Sequence, residues 1–196
     1  MRLHHLSWLL LPCIAVSACK RDAAPAILPA PIDAPATQAA VPASTAAQPA
    51  DAAISGTREI PSLRVTTVDG KTFDLADQRG KWTVVNFWAT WCGPCLQEMP
   101  ELSALDAMRE HIVVVGLAYE DTTVEDMRVF LQKHPVVYPI ALLDVYNPPA
   151  DFETPRGLPM TVLVGPDGKV VKTITGPVTA HDLEAAIAAA GGPRAG

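Results

Sequence analysis

The run Trp82-Thr83-Val84-Val85-Asn86-Phe87-Trp88 is β-branched and aromatic almost throughout, and it leads directly into a Cys-x-x-Cys, Cys92 to Cys95. Such a run, with no alternation of polar side chains, reads as a strand buried on both faces. The period then changes. From Cys95, the residues Leu96, Met99, Leu102, Leu105 and Met108 keep helical spacing, and His111 closes the helix. A second buried strand, Ile112-Val113-Val114-Val115-Gly116-Leu117, follows at once.

The flanking sequence fills in the rest. Leu63 to Val68 alternates, Asp69-Gly70 is a hairpin turn signal, and Lys71 to Leu75 returns, which predicts a two-stranded ribbon. Thr122 or Thr123 can cap a helix through Val124, Met127, Val129, Phe130 and Leu131, ended by His134-Pro135, with a short strand Tyr138 to Leu142 behind it. Asp144 to Gly157 carries Pro148, Pro149 and Pro155 and reads as irregular. Met160 to Val164, the turn Gly165-Pro166-Asp167-Gly168, and Lys169 to Ile174 predict a hairpin, and His181 to Ala190 a last helix with Leu183 and Ile187 facing the sheet. Strands alternating with helices, closed by a hairpin and a helix, indicate an α/β fold with a mixed central sheet.

The chain of 196 residues has room for one ordinary domain plus tails, and a net charge of -6 gives no sign of a nucleic-acid surface. No apolar run reaches the roughly 20 residues of a spanning helix. Residues 1–18 read as an export signal: a short basic start, an apolar stretch Leu6 to Val16, then Val16-Ser17-Ala18-Cys19. That block resembles the lipobox of bacterial lipoproteins, which implies cleavage before Cys19 and acylation of its thiol; an ordinary signal peptide cut near Ala18 is the alternative. Residues 19–58 are Ala and Pro with few charges and almost no aromatics, too poor to bury a core, and read as a semi-extended tether. The folded domain is expected over 59–190 and a disordered tail over 191–196.

With Cys13 in the leader and Cys19 modified, Cys92 and Cys95 are the thiols left to the mature chain. A cysteine where a helix opens meets unpaired N–H groups and the positive end of the helix dipole, both of which favour its thiolate. Cys92 is therefore expected as an exposed nucleophile, and Cys95, one turn deeper, as the thiol that resolves the mixed disulfide. A zinc site would need two more ligands, and His111, His134 and His181 stand singly, so no metal is expected. A purely structural disulfide would close too small a loop to stabilise much. Glu98 lies three residues beyond Cys95, on the same helix face.

Phe87-Trp88-Ala89-Thr90-Trp91-Cys92-Gly93-Pro94-Cys95 resembles the active-site segment of the thioredoxin superfamily. Cys95 to Pro100, Cys-Leu-Gln-Glu-Met-Pro, with Gly157-Leu158-Pro159, is more specifically similar to the TlpA and ResA group of membrane-tethered disulfide reductases. The resemblance spans about residues 59 to 190. It implies a thioredoxin fold with an N-terminal β-ribbon and a βα insertion at 112–142, and reversible dithiol–disulfide exchange without a cofactor. It also implies a reducing role in the periplasm, on protein disulfides, in several relatives for cytochrome c maturation. Electrons would come from a membrane thiol donor of the DsbD or CcdA type. The lipobox resemblance, with Lys20 after Cys19, points to the outer membrane. Pro100 would kink the cysteine helix, with a helix ending near Met99 as the alternative. Pro159 would be cis and face the cysteine pair, and the backbone of Leu158 would pair with extended substrate. Met160 stands where relatives usually carry Thr or Ser, which would make that surface more apolar. Glu98 would be partly buried and exchange a proton with Cys95, against a plain solvated helix glutamate. Trp91 would shield the nucleophile or contact substrate; Trp88 would be core. The Gly93-Pro94 pair matches thioredoxin and not strong oxidants, so a reductase is the leading reading; a disulfide oxidase or isomerase and a client-binding adaptor remain open. A peroxiredoxin is disfavoured, because Val85 and Ala89 stand where its site wants Pro and Thr or Ser.

Overall fold

The computed structural model describes residues 56–194; the leader, Cys19 and all but the end of the Ala/Pro segment lie outside them. Strands β1 (Arg64–Thr66) and β2 (Thr72–Asp74) pair antiparallel with Val65 opposite Phe73, as the ribbon expected around Asp69-Gly70. A single 3-10 turn, Leu75–Gln78, follows, its first free N–H (Ala76) donating to the Asp74 side chain. The chain continues through β3 (Trp82–Trp88), α1 (Gly93–Met108), β4 (Ile112–Ala118), α2 (Val124–Lys133), β5 (Ile140–Leu142), β6 (Met160–Val164), β7 (Val170–Thr175) and α3 (Ala180–Ala189). The main sheet has the order β5-β4-β3-β6-β7. β3, β4 and β5 run parallel, while β6 is antiparallel to β3 and to β7.

β3 is buried at every position and lies at the centre, as its composition requires. Val84 and Trp88 enter one apolar cluster with Met99, Leu102, Met127, Leu183 and Ile187, so the buried side chains of all three helices meet on that face. Val85 and Phe87 enter the other, which Leu63, Phe73, Leu75 and Phe152 close from the ribbon and from the proline-bearing segment. Leu102 is fully buried, and truncating such a side chain costs about 2–5 kcal/mol.

Several boundaries differ from expectation, each for a local reason. α1 stops at Met108, which is 70% exposed, instead of running to His111. His111 is drawn into the sheet, its carbonyl accepting from Trp82 N at 2.9 Å, and that pairing ends the helix early. Pro100 lies inside α1, which continues beyond it, so the alternative end near Met99 is not taken. Val124 and Val129 of α2 are exposed; its inward face is Met127, Phe130 and Leu131, and Thr123 is the cap. β5 is shorter than Tyr138–Leu142, since Pro139 has no N–H to give. α3 starts at Ala180, held by a capping box between Thr179 and Asp182. Order also extends past both expected limits. Arg58 N donates to Asp151 O at 2.8 Å, and Gly192 N, from the expected tail, donates to Ile187 O at 2.9 Å.

Candidate active site

β3 carries the chain to a tight turn in which Cys92 N donates to Ala89 O at 3.1 Å, and α1 opens immediately after it. Cys92 is the N-cap, with φ -87° and ψ 98°, and its Sγ accepts from Cys95 N at 3.3 Å. The sulfur thus receives one of the N–H groups that a helix leaves unpaired at its start. Pro94, in the first turn, has no N–H to leave unsatisfied there. Cys92 and Cys95 are joined as a disulfide with their Cα atoms 5.3 Å apart.

In this oxidised form Cys92 is 5% exposed, not the open sulfur expected from the sequence. Ring closure draws its sulfur toward Cys95, which is fully buried against the α1-side cluster. What remains accessible is the rim: Gly93 and Pro94 are exposed, and Trp91 is 70% exposed. Trp88 is core, as expected.

The Leu158–Pro159 peptide bond is cis, as the resemblance implied. Phe87 is in register with Met160, so the next step of that pairing sets Pro159 level with Trp88, at the strand end that leads to the cysteines. Leu158 is half-buried and touches both clusters. Met160 does not line that surface: it is buried in the far cluster with Phe87 and Phe152, because alternation along β6 turns it away.

Glu98 sits one helical turn beyond Cys95 and is 3% exposed. Its Oε1 accepts from Asn86 Nδ2 at 2.7 Å and its Oε2 from Val178 N at 2.8 Å. Burial pushes its carboxyl above the ordinary value, opposed by those two donors. Asn86 Nδ2 also donates to Thr161 Oγ1 at 3.1 Å, while Asn86 Oδ1, Trp88 Nε1 and Tyr138 Oη are buried without a partner. Burial, then the nearby Glu98 and Asp106, raise the Tyr138 hydroxyl, so it stays neutral.

Sequence reasoning passed over Asn86, Thr161 and the pair Thr90 and Glu120. One signal was available: an asparagine inside an otherwise apolar strand must find partners once buried. Thr90 donates from N and from Oγ1 to Glu120 at 2.7 and 2.8 Å. Among the described residues, no three His, Cys, Asp or Glu side chains are grouped to hold a metal ion.

A central strand that ends in a dithiol at a helix N-terminus, with a cis-proline on the adjoining antiparallel strand, defines a thioredoxin-fold thiol-disulfide protein. The redoxin family model matches residues 55–189, and the chain belongs to that family, among the ResA-like thiol-disulfide oxidoreductases. It is 32% identical to the thiol-disulfide oxidoreductase ResA of Bacillus cereus over 129 residues, 65% of this chain and 73% of that protein. To ResA of Bacillus subtilis it is 32% identical over 130 residues, 64% of this chain and 70% of that one. Two solved structures are similar. A thioredoxin-family thiol:disulfide interchange protein from Chlorobium tepidum has a TM-score of 0.60 at 26% identity, covering 68% of this chain and 96% of that one. A secreted Mycobacterium tuberculosis disulfide oxidoreductase homologous to DsbE of E. coli has a TM-score of 0.55 at 28% identity, covering 65% and 95%. Thiol–disulfide exchange is therefore the activity of this chain.

Proposed function

We propose that the domain reduces disulfides of exported proteins from a membrane anchor, with Cys92 as the attacking sulfur and Cys95 as the resolving one. The observation that carries this reading is the N-cap placement of Cys92, its Sγ taking the Cys95 N–H, with Cys95 buried directly behind it. Thiolate charge on Cys92 is favoured there by the helix terminus. It attacks one sulfur of a substrate disulfide; that bond breaks, a Cys92–substrate disulfide forms, and the other substrate sulfur leaves as thiolate and takes a proton. Cys95 then loses its proton and attacks Cys92 Sγ, which forms the intramolecular disulfide and expels the second substrate thiolate. Two electrons pass to the substrate.

Glu98 takes the Cys95 proton in this scheme. Its ionised form is held by two donors and disfavoured by burial, so its proton affinity lies above that of a surface glutamate. Trp91, Gly93 and Pro94 form the substrate-facing rim, and the Leu158 backbone beside Pro159 pairs with an extended substrate segment. Cys19 carries the lipid, residues 19–58 span the gap to the domain, and the anchor sits in the outer membrane facing the periplasm. A membrane thiol donor of the DsbD or CcdA type re-reduces the pair, and apocytochrome c is one client. The similarity to a secreted homologue of DsbE supports the compartment.

A Cys95→Ser variant, which can attack but not resolve, tests the reading. It should accumulate mixed disulfides through Cys92 with a range of exported proteins, and the wild-type potential should lie near the thioredoxin value of about -270 mV. No adduct at Cys92, or a potential near the DsbA value of about -120 mV, would overturn the proposed direction. Cys19→Ala should release the protein from the membrane fraction.

A further inference from the structure

The turn between β3 and Cys92 is tied to the end of β4 at two successive points. Tyr119 N donates to Trp88 O at 2.8 Å. One residue on, the Glu120 carboxylate takes both donors of Thr90, N at 2.7 Å and Oγ1 at 2.8 Å. A carboxylate that receives two donors from one residue fixes the orientation of that residue, and Thr90 is two positions before the nucleophile. Glu120 also brings charge. None of the ion pairs among the described residues involves Glu120 or Glu98, so neither carboxylate is neutralised by a nearby cation. Two carboxylates thus lie on the segments that carry or hold the dithiol turn, Glu98 on α1 itself and Glu120 just past the end of β4, followed by the exposed Asp121; the phenol of Tyr138, near Glu98, stays neutral. From β6 and from the segment before α3 come Thr161 and the Val178 N–H, which carry no charge.

We propose that Glu120 is a positioning residue for Cys92: it clamps Thr90 to set the turn that presents the sulfur, and its charge keeps the dithiol strongly reducing. This rests on the reading of Cys92 as the attacking sulfur. A negative charge near a thiol disfavours the thiolate. A stabilised thiolate is what makes a reduced dithiol reluctant to give up electrons, so a charge that opposes it favours reduction of substrate. The clamped residue, Thr90, is two positions from Cys92, which puts the charge on the order of 8–10 Å from the sulfur; at an effective dielectric between those of protein surface and water, this is about three- to fivefold in the thiolate equilibrium.

Glu120→Gln separates the two roles, because the amide oxygen still accepts from Thr90 N and the amide N–H can donate to Thr90 Oγ1. The turn is kept and the charge is lost. In Glu120→Gln the pH midpoint for alkylation of Cys92 should move down by about half a unit, and at pH 8 the equilibrium with glutathione should shift about threefold toward the reduced protein. Thr90→Val keeps the charge and loses one bond of the clamp; it should leave the midpoint in place and lower the rate of substrate reduction a few fold. A midpoint unmoved or raised in Glu120→Gln, or moved equally in Thr90→Val, overturns the inference. Its failure is distinct from failure of the functional reading: if Cys95→Ser still traps adducts at Cys92 while Glu120→Gln titrates like wild type, only the role of Glu120 falls.

Discussion

Replacing Glu98 by Gln should remove a pH dependence from the stability of the oxidised protein, and the sign follows from where the carboxylate lies. Burial raises its affinity for a proton above the ordinary value of 4.5, against the two donors from Val178 and Asn86. Between that ordinary value and the raised native one, the folded protein retains a proton that the unfolded chain has lost. Stability contributed by this group is therefore complete below the window and is lost as pH rises through it, by up to about 1.4 kcal/mol per pH unit for one proton. The neutral amide of Glu98→Gln has no such loss. Its oxygen can keep Val178 N, and its N–H then meets Asn86. The Asn86 amide can accommodate this by turning over, since its buried Oδ1 is without a partner in the wild type and would accept from the introduced amide and from the Thr161 hydroxyl. The residual mismatch costs about 1 kcal/mol at pH 5. Urea denaturation of both oxidised proteins at half-unit steps from pH 4 to 8 should then show the deficit of Glu98→Gln shrinking as pH rises through that window and level above it. Asp106, also raised by burial, titrates in both proteins and drops out of the difference. A difference that stays constant within about 0.5 kcal/mol across the range would refute the assignment of a raised native pKa to Glu98. In the Cys92→Ser background, Cys95 alkylation should lose a titration step in the same window.

Two further outcomes can be stated. A Cβ at Gly116 would stand 2.5 Å from Ile140 Cδ1 and 3.0 Å from both Trp88 Nε1 and Tyr138 Cε2, so Gly116→Ala should cost about 1–3 kcal/mol and lower the Tm by about 3–10 °C in calorimetry. Trp91→Ala, at an exposed position, should leave the denaturation midpoint within about 0.5 kcal/mol of wild type while lowering kcat/KM for protein disulfides, and an unchanged kcat/KM would remove Trp91 from the substrate surface.

The central strand, the cysteine helix and the closing hairpin were legible because each is a local pattern: an unbroken apolar run, a 3.6-residue period, a Gly-Pro-Asp-Gly turn. The end of α1 was not, since it depends on His111 pairing with Trp82, a contact the helical period does not carry. In the site, the cysteines and Glu98 could be read from spacing along one helix. Their supports could not. Asn86 meets Thr161 75 positions away, Glu98 meets Val178 80 positions away, and Thr90 meets Glu120 across the crossover, so each partner is chosen by the tertiary arrangement, sheet register in the first case, and not by neighbouring sequence. Burial of the Cys92 sulfur likewise follows from the disulfide state, which no sequence records.

The finish of the sheet borders bears on how such a domain coexists with chains whose own strands lie open. On the β5 side the ribbon bridges across, Thr67 facing Ala141 and Val68 N bound to Ile140 O at 2.7 Å. On the β7 side the strand carries Lys172 and breaks register opposite Leu163 and Val164. Neither margin is a flat apolar template. An incoming strand therefore finds one border already occupied by the ribbon and the other charged and bulged, so both borders disfavour its addition while the dithiol rim stays open to it.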